Sequence, residues 1–246
     1  MTSREFVKTA DGSPAGLLAA EARGLDWLRV TGGPPLPAVV DVADDRLVVE
    51  RIETGQPTRE AATEFGRRLA TLHASADEST YGAAEDGFVG PLRLDNTRHD
   101  DWPSFYAERR LAPYLAGLDS DTRRPVEAVI DNIVDLAGAT EPPARIHGDL
   151  WSGNVLWGAD GRAWLIDASS AHNGHRETDL AMLALFGAPF LDEIVSSYDA
   201  ATPLSPGWQD RVALHQLHPL LVHVQLFGGG YVQQTQAAAR QALANR

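Results

Sequence analysis

The chain has no cysteine, which excludes disulfides and thiolate metal sites and fits a cytoplasmic protein. It is also short of positive charge. Its 21 Lys and Arg face 34 Asp and Glu, giving a net charge of −13 and a pI near 4.9. With no basic footprint, neither a nucleic-acid partner nor an anionic membrane surface is expected. No apolar run reaches transmembrane length, and Met1-Thr2-Ser3-Arg4-Glu5 does not read as a signal peptide. Internal repeats and long low-complexity tracts are absent as well. What remains is 246 residues, 43% hydrophobic and 22% charged, enough for one large domain or two lobes.

The most informative stretch is Ile146-His147-Gly148-Asp149-Leu150-Trp151-Ser152-Gly153-Asn154, followed by Trp164-Leu165-Ile166-Asp167. It sets an Asp, an Asn five residues on, and a second Asp at the end of an apolar run. Kinases need those groups in that order. One carboxylate orients and deprotonates a hydroxyl, while an amide and a carboxylate hold Mg²⁺ on a nucleotide.

Asn154–Trp157 and Arg162–Ile166 read as strands flanking Asp160-Gly161, a two-residue hairpin signal. With that turn, opposed residues sum to 321, so Trp157 faces Trp164, Val155 faces Ile166 and Asn154 faces Asp167. Directly opposed Cβ atoms lie about 4.5–5.5 Å apart, so two oxygen donors there can share one Mg²⁺. A hairpin with chance polar ends is the plainer reading, and Asp149 at its fixed offset weighs against it.

Upstream, the pattern predicts a strand over Glu5–Thr9, a turn at Asp11-Gly12, and a helix over 14–30 with Ser13 as cap and Pro14 at its first position. A hairpin pairs 38–42 with 47–52 around residues 43–46. Thr54-Gly55-Gln56-Pro57 reads as a linker, dividing an N-terminal nucleotide-binding lobe (1–54) from a C-terminal catalytic and substrate-binding lobe (55–246). Beyond it, helices are expected around Ala62–Leu72 and over 105–115, 126–136, 178–186, 191–200, 209–227 and 233–245.

Within the first helix, Leu17, Glu21, Leu25 and Leu28 share one face. A carboxylate inside an apolar stripe is costly unless a cation meets it, and Lys8 on the preceding strand is the natural partner. Such a pair is how kinases fix the Lys that touches nucleotide phosphates. A helix-edge Glu salted by Arg23 or Arg29 is the alternative.

These residues resemble the fructosamine kinase family, within the wider group of aminoglycoside-phosphotransferase-like and protein-kinase-like enzymes. The resemblance is carried by Glu5-Phe6-Val7-Lys8, Ala20-Glu21-Ala22-Arg23-Gly24-Leu25, Phe105-Tyr106-Ala107-Glu108-Arg109-Arg110-Leu111 and the Asp149 run. Gly174-His175-Arg176-Glu177-Thr178-Asp179-Leu180-Ala181 and Leu226-Phe227-Gly228-Gly229-Gly230-Tyr231 complete it. It implies an α+β, two-lobed kinase-like fold and ATP-dependent phosphorylation of a sugar hydroxyl on a fructosamine or ribulosamine. By this carry-over Asp149 is the base, Asn154 and Asp167 hold Mg²⁺, and Lys8 contacts phosphate with Glu21 behind it. Glu50 and Ile52 offer backbone groups to adenine, Trp151 walls the sugar, and His223 lies on a helix that borders the sugar site. Two departures stand out. No glycine-rich hairpin precedes the strand bearing Lys8, and Asp167-Ala168-Ser169 replaces the family's Asp-Pro-Ala.

His172 with His175, or His215 with His218, offers no zinc-site spacing, so packing is the expected role. His147 is expected to brace the loop backbone. Asp179 is either a second brace for that loop or an acid favoured at a helix N-terminus. Three functions are compatible with the sequence. They are a ketosamine kinase, a kinase of another small hydroxylated molecule such as an aminoglycoside or sugar, and a nucleotide-binding pseudoenzyme.

Overall fold

A computed structural model describes residues 4–76 and 78–245; residues 1–3, part of the segment ahead of the first strand, lie outside the described residues. Strand β1 (Glu5–Thr9) is followed by helix α1 (Leu17–Trp27) and the hairpin β2 (Val39–Val42) and β3 (Arg46–Glu50). These form a three-stranded antiparallel sheet in the order β1-β3-β2. Lys8 pairs with Leu47 across β1 and β3. Leu47 and Val49 are buried against α1, so the face they share carries Lys8 toward that helix. Helix α1 starts three residues later than the sequence predicts. Gly16, in the left-handed conformation, stands at its N-cap and Ser13 makes no capping bond there.

The link to the rest of the chain is not free. Gly55 N–H donates to the Trp157 carbonyl at 2.7 Å and Ala159 N–H donates to the Glu53 carbonyl at 2.8 Å. The connecting segment is thus zipped onto the hairpin that turns at Asp160-Gly161.

Helix α2 (Arg59–His73) opens with Thr58, whose hydroxyl accepts from Ala61 N–H. A small hairpin follows, β4 (Gly87–Val89) and β5 (Leu92–Leu94), then α3 (Trp102–Tyr106). Where the sequence predicts one helix over 105–115, α3 continues as a π-turn and then a 3-10 segment through Gly117. Pro113 has no N–H to continue an α ladder. Next come α4 (Ser120–Asp131) and α5 (Ile133–Leu136). They break at Asn132, whose side-chain amide turns back to the Ala128 carbonyl.

Strand β6 (Ala144–Ile146) leads into the loop that carries Asp149, and β7 (Val155–Trp157) and β8 (Ala163–Leu165) form the hairpin after it. Strand β9 (His172–Gly174) pairs with β6. Helices α6 (Arg176–Leu185), α7 (Leu191–Ala201), α8 (Trp208–Phe227) and α9 (Val232–Ala244) complete the chain. β4, β5, β6 and β9 have no counterpart among the strands expected from the sequence: three residues are too few to display a period of two, and no Asp-Gly turn joins them as it joins β7 and β8.

One apolar core joins α1 and β3 to α2, β7, β8 and α7, and a second gathers α3, α4, α8 and α9. The first core therefore runs through both sides of the linker. Among the described residues no helix is long and apolar enough to cross a membrane.

Candidate active site

The β7–β8 hairpin is one residue out of the predicted register. Val155 pairs with Leu165, Leu156 with Trp164 and Trp157 with Ala163, so partners sum to 320. The loop has three residues rather than two, with Gly161 at a φ of 75°, the geometry of a turn closed by a left-handed residue. Asn154 consequently stands opposite Ile166, whose N–H donates to its carbonyl at 3.1 Å. Asp167 is one step beyond, at a φ of 58°, a conformation uncommon outside glycine. Asn154 and Asp167 are not face to face on the ladder. The left-handed turn at Asp167 instead brings both side chains to the same cleft, of about 630 Å³.

That cleft holds most of the candidate residues. Lys8, Glu21, Asp149, Trp151, Asn154 and Asp167 line it, joined by the Asp11-Gly12-Ser13 turn and by Gly90-Pro91 at the tip of the β4–β5 hairpin. Four carboxylates (Asp11, Glu21, Asp149, Asp167) meet one cation, Lys8, among the described lining residues. Asp149 is half-buried, and its pKa is pushed up to about 6, first by burial and then by the charges of Asp167 and Asp179. Asn154 is 3% exposed. Its amide nitrogen donates to the Asp149 carbonyl at 2.8 Å and to Asp149 Oδ2 at 3.2 Å, which leaves its oxygen as the ligand atom.

Lys8 meets Glu21 at 2.5 Å as expected and also pairs with Asp167. Burial alone would lower the Lys8 pKa, but the two carboxylates outweigh it and hold the ammonium above its ordinary value. Burial raises the pKa of Glu21, with Lys8 opposing. Helix α1 reaches this position because Gly24 lies directly on the loop after Asp167. A Cβ there would be 1.9 Å from the Ala168 carbonyl oxygen. The sequence reading gave Gly24 no role, and no local pattern marks a glycine that permits close approach.

The braces are as expected. His147 is fully buried, its Nε2 bonded to the Ile166 carbonyl at 2.8 Å and its Nδ1 accepting from Asp149 N–H at 3.3 Å. Asp179, in the first turn of α6, accepts from the backbone N–H groups of His147 at 2.8 Å and Gly148 at 2.9 Å. Both readings of Asp179 hold at once. Trp151 is 40% exposed at the cleft, its ring lying over Gly153, where a Cβ would fall 2.2 Å from the indole.

Three candidates stand away from this centre. His223 is not a lining residue; its ring packs among Phe186, Phe227 and Tyr231, and Phe186 in turn meets Trp151. Glu50 and Ile52 also lie outside the cleft. Glu50 N–H is used by the Ala38 carbonyl at 2.8 Å and its carboxylate accepts from Ala38 N–H at 3.3 Å, so its carbonyl is the group Glu50 can turn to a nucleotide.

The histidines pair differently from either expected couple. His175 and His215 converge with Glu177 to within 4.8 Å, but Arg211 grips both Glu177 oxygens at 2.5 and 2.9 Å. Against the cost of burial, His215 and Arg211 hold the Glu177 pKa down at about 2. With that carboxylate's charge matched by Arg211 and both rings packed at a tilt against Trp102, the cluster serves packing.

Comparison with known proteins agrees with this geometry. A fructosamine kinase family model matches residues 1–245. A protein of Synechocystis assigned as a ketoamine kinase is 33% identical over 245 residues, spanning 97% of this chain and 82% of its own length. A chloroplastic protein-ribulosamine 3-kinase of Oryza sativa subsp. indica is 33% identical over 238 residues, spanning 92% of this chain and 68% of its own. A crystal structure from Thermobifida fusca assigned as a fructosamine-3-kinase superposes with a TM-score of 0.91 at 51% identity, covering 98% of this chain and 85% of that one. The aminoglycoside phosphotransferase APH(4)-Ia, solved with AMP-PNP and hygromycin B, shares the fold at 18% identity and a TM-score of 0.64, covering all of this chain and 88% of that one.

Proposed function

The chain belongs to the fructosamine kinase family, and from that premise we propose that it transfers the γ-phosphoryl group of ATP to a sugar hydroxyl of a fructosamine- or ribulosamine-type ketosamine. The observation that carries this reading is the convergence of Asp149, Asn154, Asp167 and the Lys8–Glu21 pair on one cleft with Trp151 exposed beside them.

Asp149 accepts the proton of the attacking hydroxyl and orients it toward the phosphate. Its carboxylate is held by the Asn154 amide, and the loop that carries it by His147 and Asp179. Asn154 Oδ1 and the Asp167 carboxylate form an oxygen donor set suited to Mg²⁺. When bound, that ion neutralises charge on the phosphates. Lys8, steered by Glu21, supplies the fixed positive charge for the phosphates. The Glu50 carbonyl and Ile52 backbone take the adenine edge. Trp151 presents a flat ring to the apolar face of the sugar, and His223 stands one ring further out, behind Phe186. The excess of carboxylates over cations around the cleft suits a substrate with a protonated amine.

The test is ATP turnover with and without Mg²⁺ across a panel of a fructosamine, a ribulosamine, the free sugars and an aminoglycoside. Turnover of the ketosamines well above the free sugars is expected. Equal turnover of ketosamine and free sugar would favour a general small-molecule kinase. No turnover of any acceptor, with nucleotide still bound, would favour a pseudoenzyme.

A further inference from the structure

His73 closes α2 on the same face as Phe65 and Leu69, and it is only 3% exposed. A polar ring at that depth must be satisfied on both nitrogens. Its Nε2 lies 3.2 Å from Asp179 Oδ2, and its Nδ1 lies 2.8 Å from the Tyr198 hydroxyl on α7. Asp179 is ionised: burial would raise its pKa, but the His73 hydrogen bond and the backbone N–H of His147 hold it below the usual carboxylate value. An ionised carboxylate only accepts, so Nε2 carries the proton and donates. Nδ1 faces the Tyr198 hydroxyl. The positive charge of Arg176 lies near that hydroxyl, and the guanidinium is gripped by Glu141 at 2.6 and 2.8 Å.

Both oxygens of Asp179 are directed at the backbone of His147 and Gly148, the two residues before the base. We infer that His73 is a positioning residue for phosphoryl transfer: held at Nδ1 by Tyr198, it locks the Asp179 rotamer that holds the main chain leading into Asp149. A second partner on Oδ2 restricts the rotation that would otherwise let one backbone bond go. The hairpin face of the loop is braced by His147, and this chain braces the opposite face from α2 and α7. Tyr198 and Asp179, on α7 and α6, are thus the two ends of a single bonded chain that runs through His73.

The inference rests on the kinase reading for its kinetic arm, and a second arm is independent of any activity. His73→Ala should lower kcat by about 10–100-fold, the effect of a small misplacement of the reacting group, with KM for ATP and for the ketosamine within about threefold. His73→Gln, whose amide N–H can replace Nε2–H, should recover most of that loss. Hydrogen exchange of the His147 and Gly148 amides should speed up in His73→Ala and in Tyr198→Phe, measured against α8 amides such as Leu217 that report global unfolding. His73→Gln should restore protection. Unchanged exchange at 147 and 148 in Tyr198→Phe, or a folded His73→Ala with wild-type kcat, overturns the inference. So does a His73→Gln as slow as His73→Ala. A wild-type protein that turns over no acceptor while these amides respond as expected would refute the kinase reading and leave the brace standing.

Discussion

Asn154 closes onto Asp149 twice, its amide nitrogen bonding both the main-chain carbonyl and the carboxylate of the residue five positions earlier. The proposed metal-side amide and the proposed base are therefore one unit rather than two groups that meet on substrate binding. Because the nitrogen is committed to Asp149, the oxygen is the atom left for a cation.

Asp149→Asn should lower kcat by about 10²–10⁴-fold, the usual worth of a positioned base, and leave ATP affinity nearly unchanged. The same change should stabilise the fold. An acid whose folded pKa is raised to about 6 from an ordinary 3.8 contributes stability fully present below the lower value and lost as pH rises through the upper. Solvent reaches this half-buried group, so a gain of about 1–2 kcal/mol above pH 7 is expected, and none near pH 4. Denaturant melts at the two pH values check it. A loss of stability at pH 7.5 would contradict the assignment.

The pH profile carries the same sign. Below about pH 6 the free enzyme's Asp149 is protonated and cannot accept the hydroxyl proton. The log of kcat/KM for ATP should therefore fall with a slope of one on the acid side of that value, and stay level toward pH 8. A cation bound beside the carboxylate lowers its pKa. The acid limb of kcat, measured with Mg²⁺-ATP in place, should lie at lower pH than the limb of kcat/KM. Coincident limbs would place the metal away from Asp149.

Asp167→Ala should abolish the Mg²⁺ dependence of ATP binding, since it removes the charged member of the donor set. It also releases Lys8 from one of its two carboxylates. Calorimetric titration of ATP with and without Mg²⁺ distinguishes the two states. Metal dependence equal to wild type would show that the ion is held elsewhere.

Gly24→Ala tests how α1 is placed. Its Cβ cannot coexist with the Ala168 carbonyl, so the helix must move off the loop that follows Asp167, carrying Glu21 away from Lys8. KM for ATP should rise by about tenfold or more while the fold persists, the scale of effect of a 1 Å displacement. A variant with unchanged ATP kinetics would show that the helix tolerates the shift.

Gly153→Ala and Trp151→Ala should look alike. The first drives a methyl into the indole and the second removes it. Each should raise KM for the ketosamine several-fold and spare KM for ATP. A selective defect in ATP kinetics from either change would remove Trp151 from the sugar side of the cleft.

The sequence by itself determined the elements of chemistry and their order. That Asp149, Asn154 and Asp167 share one cleft was legible because phosphoryl transfer, the proposed chemistry, requires such groups at nearly fixed offsets along one loop and hairpin. Glu21 was legible because a carboxylate in an apolar stripe demands a cation. His73 carries that same signal on the Phe65–Leu69 face of α2, yet its partners lie 106 and 125 residues away, beyond any local pattern. The hairpin register differs from the expected one because Asp-Gly permits both two- and three-residue loops; a two-residue type I′ loop needs both residues left-handed, and here Gly161 is left-handed while Asp160 is not. Only the tertiary structure set Gly24 against Ala168, and only it ran the α2–α7 chain of hydrogen bonds into the catalytic loop. The physical reason is the same for both. Spacing records what must be near in the chain, whereas close packing and the satisfaction of buried polar groups are settled among segments that meet only once the core has formed.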